Sequence, residues 1–236
     1  MAKTNLEKNI SSYIGRLLRE HFGRGPGNVI CTVSGPYVVV HISSFLSPME
    51  KSLMDSDQTV YVQKTRDLMM ETLTKEIKAY IELTQGHHVE EFYYDWQLEA
   101  KTGMMIAVLS SPDEEHPLPP KNDFKNSDMV NKDIIKISAE VQKPPEKTYS
   151  IMLNPRTLLI IREGIFISIE KELIQLGSQE TLRLAKRNLE KGRLLHHKNS
   201  FEEYLDAKLV DFFVDWNFDR DKSLILFNLK PIEKSL

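Results

Sequence analysis

Across 236 residues the chain holds one cysteine, two tryptophans and no long apolar run. A lone thiol, Cys31, excludes an intrachain disulfide and a thiolate-built zinc site, and fits a reducing, cytoplasmic compartment. Crossing a bilayer takes ~20 consecutive apolar residues, so no membrane-spanning helix is expected. The opening Met1-Ala2-Lys3-Thr4-Asn5-Leu6-Glu7 has no apolar core of a secretory leader. A basic excess is missing too. Lys plus Arg number 31 against 34 Asp plus Glu, a net charge of −3, so nucleic acid is not an expected partner. What is present, 41% hydrophobic and 28% charged residues, is the composition of a globular chain.

Apolar periodicity lapses over Ser110-Ser111-Pro112-Asp113-Glu114-Glu115-His116-Pro117-Leu118-Pro119-Pro120 and resumes near Met129, as at a linker. The flanking halves fall into line at a shift of 120 residues: Glu50-Lys51-x-Leu53 meets Glu170-Lys171-x-Leu173, and Phe92-x-x-Asp95-Trp96 meets Phe212-x-x-Asp215-Trp216. Letter identity is low, but the order of apolar runs and turns repeats. The chain reads as a divergent tandem duplication, with domains over 1–110 and 128–236 joined by a Pro-rich linker over 111–127.

Each half opens with an amphipathic helix: Leu6, Ile10, Ile14, Leu17 and Phe22, then Val130, Ile134, Ile137 and Val141. Thr4-x-x-Glu7 suits a capping box for the first, and Gly23-Arg24-Gly25-Pro26 a stop. Strands are expected over Val29–Val33 and Tyr37–Ile42, and over Tyr149–Leu153 and Thr157–Ile161. A short helix follows, with Leu46, Met49 and Leu53, or Phe166, Ile169 and Leu173, facing inward. A long helix next carries Val62, Thr65, Met69, Leu73, Ile77 and Tyr80 on one face and stops at Gly86. Its counterpart, Gln179 to Leu205, is interrupted by Gly192. A hairpin closes each half, with Phe92, Tyr94 and Trp96, or Phe212, Val214 and Trp216, alternating on one face. The expected class is α+β: two repeats of helix–strand–strand–helix–helix–strand–strand, each an antiparallel sheet with helices over one face.

The first half, from about Asn5 to Leu109, resembles the bacterial MpsC family of a sodium-translocating, membrane-potential-generating system. The resemblance rests on Gly23-Arg24-Gly25-Pro26, Leu46-Ser47-Pro48-Met49-Glu50, Arg66, Leu83-Thr84-Gln85-Gly86, Asp95 and Thr102-Gly103. The second half keeps the element order, Glu170 and Asp215. It departs at Lys143-Pro144-Pro145-Glu146 and lacks an evident arginine-plus-glycine pattern over Leu182 to Leu205. The resemblance implies a bacterial cytoplasmic accessory protein, whose partners are proteins of a membrane system that couples cation movement to membrane potential and inorganic-carbon uptake.

Ligand- or partner-binding candidates are Arg24, Glu50, Arg66, Asp95, Glu170 and Asp215. The plainer expectation makes Asp95 and Asp215 solvent-facing or capping carboxylates beside core tryptophans. It makes Glu50-Lys51 and Glu170-Lys171 solvated helix faces. Arg24 with Arg66 suits an anion. No catalytic residue, metal or cofactor is expected. His87-His88 and His196-His197 are adjacent pairs that chelate poorly and read as surface groups. Gly23-Arg24-Gly25-Pro26-Gly27 follows a helix instead of opening one, so it is no phosphate loop. Cys31 reads as a small core residue. The leading expectation is a non-enzymatic protein acting by protein contacts or small-ligand sensing, its two halves paired about a pseudo-two-fold axis. The rival is an enzyme with a cleft between the domains that uses Glu50, Arg66 and Asp95.

Overall fold

A computed structural model describes residues 2–110 and 124–232. The expected linker falls largely on 111–123, outside the described residues. Ahead of residue 116 the elements are α1 (Ala2–Phe22), β1 (Asn28–Ser34), β2 (Tyr37–Ser43), α2 (Pro48–Asp55), α3 (Thr59–Gln85), β3 (Val89–Gln97) and β4 (Thr102–Leu109). Beyond it come α4 (Ser127–Val141), β5 (Lys147–Asn154), β6 (Thr157–Glu163), α5 (Ser168–Gln175), α6 (Gln179–His196), α7 (Lys198–Leu205), β7 (Ala207–Asn217) and β8 (Lys222–Pro231).

Each unit builds a four-stranded antiparallel sheet, in the orders β1-β2-β4-β3 and β5-β6-β8-β7. The second strand of each first hairpin therefore pairs with the last strand of the second, an order that no local pattern encodes. Helix-side residues form one core per unit. Ile10, Ile14, Val38, Val40, Leu73, Trp96 and Met105 belong to the first; Val130, Ile134, Leu158, Ile160, Phe201, Trp216 and Ile225 belong to the second.

The two units repeat each other down to the backbone. Positive φ recurs 120 residues apart at Ser44 and Gly164, Asp57 and Gly177, Gly86 and Asp206, and Lys101 and Asp221. Such values are uncommon outside glycine, so their recurrence marks a shared chain path. A bulge interrupts the ladder between Val89 and Glu91, and again between Leu209 and Asp211. In each unit a glutamate accepts the N–H of the residue just before the bulge in the edge strand: Glu82 from Val89 and Glu202 from Leu209, both at 2.9 Å. His88 pairs with Glu82 as Lys208 does with Glu202. Letter identity has faded while turns, bulges and end caps persist.

Several expectations need correction. The α3 stripe is turned by about one residue, since Val62, Arg66, Met70, Leu73, Ile77 and Ile81 are buried while Thr65 is exposed. Counting Arg66 as polar produced the offset. Met49 and Ile169 face solvent, at 67% and 60% exposure; Glu50 and Glu170 are the buried residues of their helices. The break in the last helical segment falls at His197, not at Gly192, which lies within α6. Glu7 lies inside α1 and accepts the Val33 N–H at 2.9 Å, and the Thr4 side chain of the expected capping box lies outside the described residues.

Candidate functional site

Helix α2 begins where Ser47 takes an extended conformation, with Pro48 in the first turn. The Ser47 hydroxyl accepts the Glu50 N–H at 3.2 Å, and Glu50 Oε2 accepts the Ser47 N–H at 2.7 Å. This capping box fixes the Glu50 carboxylate at the mouth of the helix, turned toward α3. There Arg66 Nε donates to Glu50 Oε1 at 2.7 Å and Nη2 to Oε2 at 3.1 Å. Arg66 Nη2 also donates to the Phe45 carbonyl at 3.0 Å.

Arg66 is fully buried, and its guanidinium carbon lies 4.7 Å from the ring centres of both Phe45 and Trp96 and 5.7 Å from that of Phe22. A planar cation suits aromatic faces better than an ammonium does. Burial alone raises the Glu50 carboxyl. The hydrogen bonds and charge of Arg66, with the Ser47 cap, outweigh burial and hold it below its ordinary value.

The second unit builds the same centre from different letters. Glu170 Oε2 accepts the Ile167 N–H at 3.0 Å, although an isoleucine at the cap leaves only half of the reciprocal pair. Glu170 Oε1 receives Lys186 Nζ at 2.5 Å. Glu50 to Arg66 and Glu170 to Lys186 are both 16 residues apart, and the two cations are related by the shift of 120. The Lys186 ammonium lies 5.3 Å from the Phe166 ring centre and 5.2 Å from that of Trp216. Each tryptophan thus roofs a buried cation held by the glutamate of a short helix.

Around this centre the second unit adds charges that the first lacks. Arg162, fully buried on β6, donates from Nε to Ser223 at 2.8 Å, from Nη1 to Ser138 at 2.9 Å and from Nη2 to Glu190 at 2.6 Å. Lys186 stands 3.9 Å from the other Glu190 oxygen and also donates to Gln142. The corresponding first-unit positions are Ile42, Leu18, Met70 and Gly103. Where the first unit has an apolar cluster, the second has a buried ion pair with its serine partners. The arginine directly after the apolar run Leu158–Ile161, and the spacing of four between Lys186 and Glu190, are the signals for it in the sequence.

Asp95 and Asp215, expected near solvent, are both 1% exposed. Asp95 Oδ1 accepts the Trp96 N–H at 2.8 Å. Asp215 is bound by Arg183, with Arg187 at 3.8 Å. Strand alternation does place each on the sheet face opposite its tryptophan. That face is apolar and buried at Val39, Tyr93, Met104 and Ile106, and at Leu159, Phe213, Leu224 and Leu226.

Glu50 and Arg66 are brought together, and Glu170 and Asp215 each meet a cation. Arg24 is exposed in the loop after α1, and Arg66 is already committed to Glu50. His88 pairs with Glu82 at 2.7 Å, and the partly buried His197 stands 4.0 Å from Asp133. No cluster of three or more metal-ligating side chains occurs among the described residues. Sequence reasoning missed Lys186, Arg162, Glu190, Arg183 and Arg187.

One comparison with known proteins gives a match. The family described as Na+-translocating membrane potential-generating system (MpsC) matches residues 2–111 and again 128–231. No curated protein and no solved structure matches.

Proposed function

The chain belongs to the MpsC family, in two tandem copies, and from that premise we propose that it is a non-enzymatic accessory of a membrane-potential-generating system, acting through protein contacts on the cytoplasmic side. No described helix is long and apolar enough to cross a membrane, so no described helix supplies a conducting path.

The observation that carries the reading is how the buried charges are used. Glu50 is bound by Arg66 and its own helix cap, Glu170 by Lys186, Glu190 by Arg162 and Asp215 by Arg183. A general acid or base needs a pKa near the working pH and reach to a substrate. Glu50 has neither, with its carboxyl held low and its side chain enclosed. Glu50 and Arg66 thus serve the enzyme reading poorly, and the folded surface is left as the working part.

The test is affinity purification of a tagged copy expressed at its native level, with mass spectrometry of co-purifying membrane proteins and reciprocal tagging of any hit. The reading expects subunits of a cation-translocating system among them. Recovery of none in replicate captures, from membranes solubilised gently enough to keep known complexes intact, would defeat it.

A further inference from the structure

Helix α3 runs unbroken for 27 residues, about 40 Å at 1.5 Å per residue. Its buried residues follow one side, which leaves the other to solvent. Tyr61, Leu68 and Leu83 stand on that outer side at 61%, 57% and 81% exposure. Between them lie Thr65, Thr72 and Ala79, also exposed. Steps of three, four and seven keep these residues in one narrow ribbon.

Charges along one flank of the ribbon follow a specific pattern. At ~100° per residue, Lys64, Glu71, Lys75 and Glu82 fall within about 40° of one another. Lys64, Glu71 and Lys75 are exposed and have no ion pair among the described residues. Glu82 uses Oε1 for His88 and the Val89 N–H. In an antiparallel helix pair, equal flanks of the two helices face each other. Lys64 and Glu82 share a midpoint at residue 73, and Glu71 and Lys75 share the same one.

A single two-fold axis at that level sets Lys64 against Glu82 of a second copy and Glu71 against its Lys75. Symmetry doubles these to four contacts of opposite charge. The same register brings Leu68 beside Ala79 of the second copy, and Tyr61 beside its Leu83. A parallel arrangement sets unlike flanks together and forfeits all four charge contacts. We propose that this face of α3 is an isologous interface through which two copies of the chain pair, antiparallel and two-fold symmetric.

The second unit does not repeat the pattern. Leu184, Lys191, Leu195 and Glu202 occupy the corresponding positions, and α6 stops at His196. The surface therefore belongs to the first unit alone. An interface confined to one helix pair sits at the small end of specific contacts, below about 1,200 Å², so the dimer is concentration-dependent.

Sedimentation of the full chain over roughly 10 µM to 1 mM tests it, with thermal melts as a folding control. The mass should rise from 27.3 kDa toward twice that value. Glu71→Lys and Lys75→Glu should each weaken association about tenfold or more. The double swap E71K/K75E should restore it, and Leu68→Asp should abolish it. A monomer at every concentration, a dimer indifferent to these changes, or a double swap that restores nothing would each overturn the proposal.

Discussion

Arg162→Ile installs in the second unit the residue that the first carries at the equivalent position, Ile42, and so separates a buried charge from its partner. In the native protein Arg162 satisfies Ser138, Ser223 and Glu190, none of them more than 1% exposed at the side chain. Removing one member of such a pair typically destabilises by 3–5 kcal/mol, because the other charge remains buried. Lys186 stands 3.9 Å from the second Glu190 oxygen and lessens that penalty, which sets the expectation near about 3 kcal/mol.

Replacing the whole group with its first-unit equivalents, in S138L/R162I/E190M/S223G, removes both charges and both hydroxyls together. The outcome expected there is neutral to stabilising by about 1–4 kcal/mol. Hydrogen exchange read peptide by peptide separates the units. Strands β6 and β8 should lose about two orders of magnitude of protection in the single variant and regain it in the fourfold one, while β2 and β4 serve as the internal control. A single variant costing under about 1 kcal/mol, or a fourfold variant as damaged as the single one, would refute the claim that copy two carries its charges as one interdependent unit.

Arg66→Lys mimics the second unit and keeps the charge but loses the fork to Glu50 and the bond to the Phe45 carbonyl, a cost of about 1–2 kcal/mol. Arg66→Met strands the Glu50 charge and should cost about 3–5 kcal/mol in urea unfolding. The Glu50 carboxyl sits below its ordinary 4.5; the unfolded chain therefore binds its proton at higher pH than the folded one. Its contribution is complete above that range and is lost as pH falls through the lower folded value, a loss that Arg66→Met should remove from the acid arm of the stability profile. Gly103→Ala drives its methyl carbon into the Trp96 ring at Cε3; it should cost about 1–3 kcal/mol and shift tryptophan emission, and an unchanged melt would contradict the tight seating of that ring. Burial pushes the Cys31 thiol up to about 12, so thiol reagents at about pH 8 should modify it only at the rate of unfolding.

Legibility followed the range of the signal. Strand and helix positions emerged from periodicity, and the duplication from the recurrence of Asp-Trp with the same run of elements around it. Pairing of β2 with β4, and of β6 with β8, did not, because it joins residues far apart in sequence with no shared local signature. The charged centre was misread for a specific reason. A Glu-Lys pair on a short helix is solvated unless something covers it, and the covering residue, Arg66, is itself a charge that composition places outside. Two polar residues that each look exposed become buried by meeting one another. Lys186 was obscured further by its change of type, since a search for arginine passes over a lysine that performs the same task.

Divergence between the copies distinguishes what the fold requires from what it permits. Left-handed turns, the edge-strand bulges and the Glu82/Glu202 caps persist 120 residues apart. They fix the chain path, and few substitutions satisfy them. The cation under each tryptophan persists in charge but not in shape, as Arg66 and Lys186. That pattern is what a buried glutamate demands of its partner, because any cation of adequate reach neutralises it. Ile42, Met70, Leu18 and Gly103 in the first unit stand where the second has Arg162, Glu190, Ser138 and Ser223, and the two charges among these depend on each other, since either alone would be buried without its partner. A lone Ile42→Arg in the first unit would set a guanidinium where Leu18, Met70 and Gly103 stand in place of Ser138, Glu190 and Ser223, and should cost roughly 3–5 kcal/mol in urea unfolding because the buried charge has no partner among those positions.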